Sequence, residues 1–156
     1  MRLYLAQHAL ACDKNDNAAR PLSNQGREDI ARTAGFLSLF EKPRPSMILH
    51  SDKLRAIQSA AMFAEAWGNL PTRIHPALAP NSDPHNLLPM LTTSHDDLML
   101  VSHLPLLARL AGLLLCDDAE REPICFRNGG VLCLQRTEER WSLLWQINPT
   151  LFYGEA

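Results

Sequence analysis

Leu3-Tyr4-Leu5-Ala6-Gln7-His8 carries four apolar residues straight into a titratable side chain. A run this short, rich in large apolar residues and bounded by polar ones, reads as a buried strand. It is too short for the apolar core of a secretion signal, and Gln7-His8 interrupts it. Working outward, the same arrangement recurs twice. Met47-Ile48-Leu49 forms a second short strand, with Arg55 in the first turn of the helix that follows. Residues 98–101 form a third buried strand, and His103 follows almost at once.

The segments between these strands have helical period. Ser23 is placed to cap a helix running to about Phe40, with Ile30, Ala34 and Leu37 on one face and Phe36 and Phe40 beside them, until Pro43 and Pro45 end it. Ser51 is placed to cap the next helix, whose apolar face reads as Ile57, Ala60, Ala61 and Ala64, with Gly68 as its stop. Pro105 opens an apolar helix through about Leu115. Residues 76–97, rich in Pro, Asn, Asp and His, read as an insertion over one end of the sheet. Residues 131–135 and 141–147 read as a hairpin closing the sheet, joined by Thr137-Glu138-Glu139-Arg140. In its second arm Trp141, Leu143, Trp145 and Ile147 alternate with Ser142, Leu144 and Gln146, as in a half-buried strand. The expectation is an α/β fold: one domain over residues 1–156, a three-layer α/β/α sandwich with a mainly parallel central sheet and a C-terminal hairpin.

Composition narrows the function. The chain has 156 residues, 46% hydrophobic, and a formal net charge of −2, without a basic block or acidic tail, so no nucleic-acid or membrane partner is expected. A cytoplasmic location is expected. Cys12, Cys116, Cys125 and Cys133 are scattered without metal or disulfide spacing and are expected to be buried free thiols. No metal motif joins His50, His75, His85 and His95, which read as surface or lid residues. Gly129-Gly130 reads as a turn before a strand, because no Lys-Ser/Thr follows it as in a phosphate-binding loop. Trp141 and Trp145 are expected in the core.

In open α/β sheets, ligands bind in the crevice outside the strands' carboxyl ends. Helix N-termini there add backbone donors and a field that favours anions. His8, Arg55 and His103 converging on that crevice describe an oxyanion pocket.

Four motifs make the picture specific. They are Leu3-Tyr4-Leu5-Ala6-Gln7-His8-Ala9, Arg20-Pro21-Leu22-Ser23-x-x-Gly26-Arg27, Ser51-x-x-x-Arg55-Ala56-x-Gln58-Ser59-Ala60, and Val101-Ser102-His103-x-Pro105. In order and spacing they resemble the signatures of the histidine phosphatase superfamily, which is phosphoglycerate mutase-like, and within it the short phosphohistidine phosphatases of the SixA type. The likeness runs to a Trp145-x-Ile147-x-Pro149 tail.

The resemblance implies hydrolysis of phosphoryl groups without metal or cofactor. His8 would be the nucleophile, since a neutral imidazole is nucleophilic near neutral pH. Arg55 would clamp the phosphoryl oxygens and His103 would donate to them. Gln7, Arg20 and Ser102 would be further phosphate contacts. The implied partner is a phosphorylated protein bearing a histidine-containing domain, or a small phosphate ester.

Two positions depart from the pattern. Gln7 stands where the family has Arg, and Ala9 where it has Gly. The family's general acid usually comes from between the two histidine motifs. Here Ala77-Leu78-Ala79-Pro80 occupies that stretch, leaving Asp83, in the turn-like Asn81-Ser82-Asp83-Pro84, as the candidate proton donor. The rival expectation is a catalytically silent phosphate- or phosphoprotein-binding module.

Overall fold

The computed structural model describes residues 1–138 and 140–154; Glu139, within the expected hairpin turn, lies outside the described residues. Six strands form one sheet: β1 (Arg2–Gln7), β2 (Met47–His50), β3 (Thr72–Ile74), β4 (Leu98–Ser102), β5 (Val131–Thr137) and β6 (Arg140–Ile147), in the order β3-β2-β4-β1-β5-β6. The first four are parallel, and β5 and β6 run antiparallel as the closing hairpin. Four helices accompany them: α1 (Asn24–Phe40), α2 (Leu54–Ala66), α3 (Leu88–Thr93) and α4 (Leu106–Cys116). This is the expected α/β/α sandwich.

Alternation along the strands separates two cores. Leu3, Leu5, Leu98 and Leu100 pack with the apolar side of α4, including Leu106, Leu107, Leu110 and Leu114. Tyr4, Ala6, Met99 and Val101 pack on the other side with Ile30, Ala34 and Leu37 of α1 and Ala56, Ala60 and Phe63 of α2. Each fully buried Leu or Phe contributes about 1.5–3 kcal/mol by leaving water. The central strands are therefore held from both faces, and their carboxyl ends form a stable platform.

Ser23 caps α1 as expected: its Oγ accepts from the Gly26 backbone N–H at 3.0 Å and donates to the Leu10 carbonyl at 3.0 Å. Gly26 makes this possible, because a Cβ there would stand 2.1 Å from the Leu10 carbonyl oxygen. The chain leaving β1 is thereby fastened to the start of α1.

Several expectations need correction. The buried face of α2 is Ala56, Ser59, Ala60, Phe63 and Ala64, so Ala61 is exposed and Ile57 only half-buried. Large Phe63, not the methyl groups, sets the rotation of that helix. The α2 cap position is Lys53, not Ser51. Strand β3 carries no apolar signal because all three residues are exposed at the sheet edge. Residues 76–97 fold into 3-10 turns at Pro76–Leu78 and Pro84–Leu87 and the short α3, burying Leu78, Leu87 and Leu91 in the α4-side core.

Alternation along β6 also breaks. Cys133 pairs with Trp145 and Leu134 with Leu143, so Leu144 is an extra residue in a bulge. Trp141 therefore packs toward the α4 side and Trp145 toward the other, while Leu143 and Leu144 are exposed. Among the four cysteines only Cys133 is buried, and burial raises its thiol pKa to about 12.

Candidate active site

The sheet order builds the site. Because β4 lies between β1 and β2, the residues that follow these three strands stand side by side at the carboxyl edge. His8 follows β1 and His103 follows β4; their ring centroids are 4.8 Å apart. Ser51 follows β2, and its Oγ lies 2.6 Å from His103 Nε2. Arg55, in the first turn of α2, directs its Nε–H at His8 Nε2 at 3.3 Å. Four residues from three separate parts of the chain thus surround one point.

The hydrogen bonds of His8 define its proton. Its Nδ1 lies 2.8 Å from the Ala9 carbonyl, which can only accept, so Nδ1 carries the hydrogen. Nε2 then presents a lone pair, and the Arg55 guanidinium donates to it. Burial, followed by the nearby Arg55 and Arg20 cations, lowers the His8 pKa to about 4. Burial, then His8 and Arg55, lowers that of His103 to about 3. Both rings are neutral near pH 7. Arg55 is itself pushed below its ordinary value by burial and by the nearby Arg20 cation. Such a cluster favours an incoming anion.

Supporting contacts hold the geometry. Ser59 on α2 accepts from the Ala9 N–H at 3.0 Å and donates to the Arg55 carbonyl at 2.7 Å, tying the residue beside His8 to the turn bearing Arg55. Gln58 accepts from the Leu22 N–H at 2.8 Å, and Asn128 donates to the His8 carbonyl at 2.8 Å. Gln58 and Ser59 lie inside the motifs quoted above but carried no assigned role, and Ser51 was read only as a helix cap. Asn128 carried no signal at all.

The remaining candidates divide. Arg20, in left-handed backbone with φ of 51°, donates its Nε–H to the Cys12 carbonyl at 3.2 Å and acts electrostatically on His8 and Arg55. Gln7 sits at the end of β1 with its Oε1 buried and unpartnered. Ala9 is buried and needs no positive φ, so the extra methyl is accommodated.

Ser102 turns away from the cluster: it is fully buried and donates to the Leu78 carbonyl at 2.7 Å, pinning the Pro76–Leu78 turn to the sheet. Asp83 is also outside the described contacts of the cluster. It caps the Pro84–Leu87 turn, accepts from the His85 N–H at 3.0 Å, and pairs with the exposed His85 ring, which lowers its pKa. His50, read above as a surface or lid residue, is instead buried, with Nδ1 at 2.8 Å from the Ser51 carbonyl. Among the described residues, no group of three or more His, Cys, Asp or Glu is placed to hold a metal ion.

Comparison with known proteins adds to this geometry. No family model and no curated protein matches the sequence. Solved structures do match. A protein histidine phosphatase SixA complexed with tungstate superposes with a TM-score of 0.84 at 26% identity, covering 97% of this chain and 99% of that one. Its fold is that of the histidine phosphatase superfamily. Two more distant members of the superfamily bear on the fold alone. One, assigned as a phosphohistidine phosphatase SixA, from Agrobacterium tumefaciens, gives 0.76 at 23% identity over 95% of this chain and 97% of that one. The other, a mycobacterial glucosyl-3-phosphoglycerate phosphatase complexed with VO3, gives 0.69 at 20% identity over 92% and 98%. No described helix is long and apolar enough to cross a membrane.

Proposed function

We propose that this chain is a phosphatase in which His8 Nε2 attacks phosphorus and briefly carries the phosphoryl group. The observation that carries the reading is the tautomer of His8. Its Nδ1–H is committed to the Ala9 carbonyl, leaving the Nε2 lone pair beside the Arg55 guanidinium and the His103 ring. The likeness to a SixA protein binding tungstate, a tetrahedral oxyanion, supports it.

In the first step the Nε2–P bond forms as the bond from phosphorus to the leaving group breaks, and the leaving group departs with the electron pair. Arg55 and His103 face the charge on the phosphoryl oxygens, and Arg20 adds a second cation. In the second step water attacks phosphorus as the Nε2–P bond breaks and returns the lone pair to His8; the water's proton passes to solvent, and inorganic phosphate is released.

The substrate we favour is a protein-borne phosphohistidine. Asp83 is tied up in capping, and the described hydrogen bonds of His8, Arg55 and His103 include no carboxylate that would protonate an alkoxide. An imidazole protonated on its far nitrogen leaves phosphorus as a neutral molecule and needs no such donor. Residues 76–97 support this further, because Leu78, Leu87 and Leu91 are spent against the α4-side core and so do not serve as an apolar cover for a small substrate. Phosphorylated histidine-containing domain and a chromogenic phosphate ester, each incubated with wild type and His8→Ala, test the proposal. Faster release from the domain, abolished by the substitution, is expected. Turnover of the ester alone overturns the substrate assignment, and turnover surviving in His8→Ala overturns the nucleophile.

Gln7 favours a second reading, the silent binding module, because it removes one cation from an anion pocket. Phosphate binding without turnover of either substrate would select it.

A further inference from the structure

Building on the phosphatase reading, we propose that Ser51 is a positioning residue that fixes the tautomer of His103, placing its proton on Nδ1, the nitrogen free to donate to the phosphoryl oxygens. Ser51 and His103 are buried, with 1% and 2% of their surface exposed. Ser51 Oγ has two partners: it accepts from the Lys53 backbone N–H at 3.3 Å and lies 2.6 Å from His103 Nε2. His103 Nδ1 is buried and has none.

Only one assignment of hydrogens gives the Ser51 hydroxyl an acceptor. The Lys53 N–H fills an acceptor site on Ser51, the Ser51 hydroxyl donates to Nε2, and Nδ1 must then hold the ring hydrogen. In the opposite tautomer Nε2–H would donate to Ser51, the hydroxyl hydrogen would have no acceptor among the described contacts, and Nδ1 would turn a lone pair toward the anion. That arrangement repels the substrate where the first attracts it.

The two histidines are thus set in complementary states by their second nitrogens. The Ala9 carbonyl makes His8 Nε2 a nucleophile, and the Ser51 hydroxyl makes His103 Nδ1 a donor. Because the cluster keeps both rings neutral near pH 7, His103 has a single ring N–H to offer, and its location decides whether the ring helps or hinders.

Long-range 1H–15N correlation spectra of the full chain, labelled with 15N-histidine, read the tautomer directly. Wild type, Ser51→Ala and Ser51→Thr are compared at pH 7, with initial rates on the chromogenic ester from pH 5 to 8. The wild-type His103 spectrum should show Nδ1 protonated and Nε2 bare. Ser51→Ala should move population to Nε2–H and lower kcat roughly tenfold, the worth of one hydrogen bond. Across pH 5 to 8 the deficit should stay nearly constant, because His103 titrates near 3 and remains neutral throughout. Ser51→Thr, keeping the hydroxyl, should restore the wild-type spectrum and rate. A wild-type spectrum showing Nε2–H overturns the proposal, as does an unchanged tautomer in Ser51→Ala. The wild-type spectrum requires neither a variant that folds nor turnover. A chain with the expected tautomer but no turnover would overturn the phosphatase reading instead.

Discussion

Gln7→Arg examines the electrostatics of the pocket directly. As built, the site offers the Arg55 and Arg20 cations, with His8 and His103 held neutral by burial. Position 7 immediately precedes the nucleophile, and the Gln7 Oε1 is buried without a partner, so the present side chain satisfies neither itself nor an anion fully. A guanidinium about 5 Å from a phosphoryl charge, at an effective dielectric near 20, gains about 3 kcal/mol. Position 7 is only half-buried, so water screens part of that. A net gain of about 1.5–2 kcal/mol is a rise of roughly 10- to 30-fold in kcat/KM. Initial rates on a chromogenic ester measure it for wild type, Gln7→Arg and Gln7→Arg with His8→Ala. The gain should shrink in high salt and vanish in the double variant. An unchanged or lower kcat/KM in a variant with the wild-type melting temperature would refute the reasoning that position 7 faces the anion.

The same geometry sets three further outcomes. Native His8 and His103 titrate near 4 and 3, whereas unfolded histidine titrates near 6.5, so below about pH 6.5 the unfolded chain binds protons that the native one refuses. Thermal melts should show full stability above about pH 6.5 and a falling Tm as pH drops toward 4; a Tm that rises from pH 7 to 5 contradicts this. Gly26→Ala should cost about 3 kcal/mol in urea unfolding, because its Cβ meets backbone at Leu10, and a loss within experimental error would show that the β1 exit is not fastened there. Asp83→Asn should leave kcat within about twofold while slightly lowering Tm through the weakened cap, whereas a large fall in kcat would return Asp83 to the proton-donor role.

The parallel core was legible because its residues obey local rules. Leu3 to Ala6 and residues 98–101 are continuous apolar runs, the mark of strands covered on both faces, and Ser23 with Gly26 is a self-contained cap. His8, Arg55 and His103 were legible because each sits one step past a strand or at a helix start. Strand β3 was not, since exposed Thr72, Arg73 and Ile74 are held by pairing with β2 and carry no pattern of their own. The bulge at Leu144 was hidden for a related reason: the register of an edge strand is set by its partner.

Ser102 and Asp83 have the right chemistry near a motif, yet the structure engages both elsewhere: Ser102 with the Leu78 carbonyl and Asp83 with the His85 backbone N–H. Ser51 reads as a helix cap in sequence, and only the adjacency of β2 and β4 brings it to His103.

The most direct measurement is an alkaline quench of the chain during turnover of a phosphorylated substrate, followed by mass mapping of the phosphoryl group. The account predicts one acid-labile phosphoryl group on the peptide bearing His8, attached at Nε2, and none in His8→Ala. Steady turnover with no phosphorylated peptide, or with the label on His103 or His50, would contradict it.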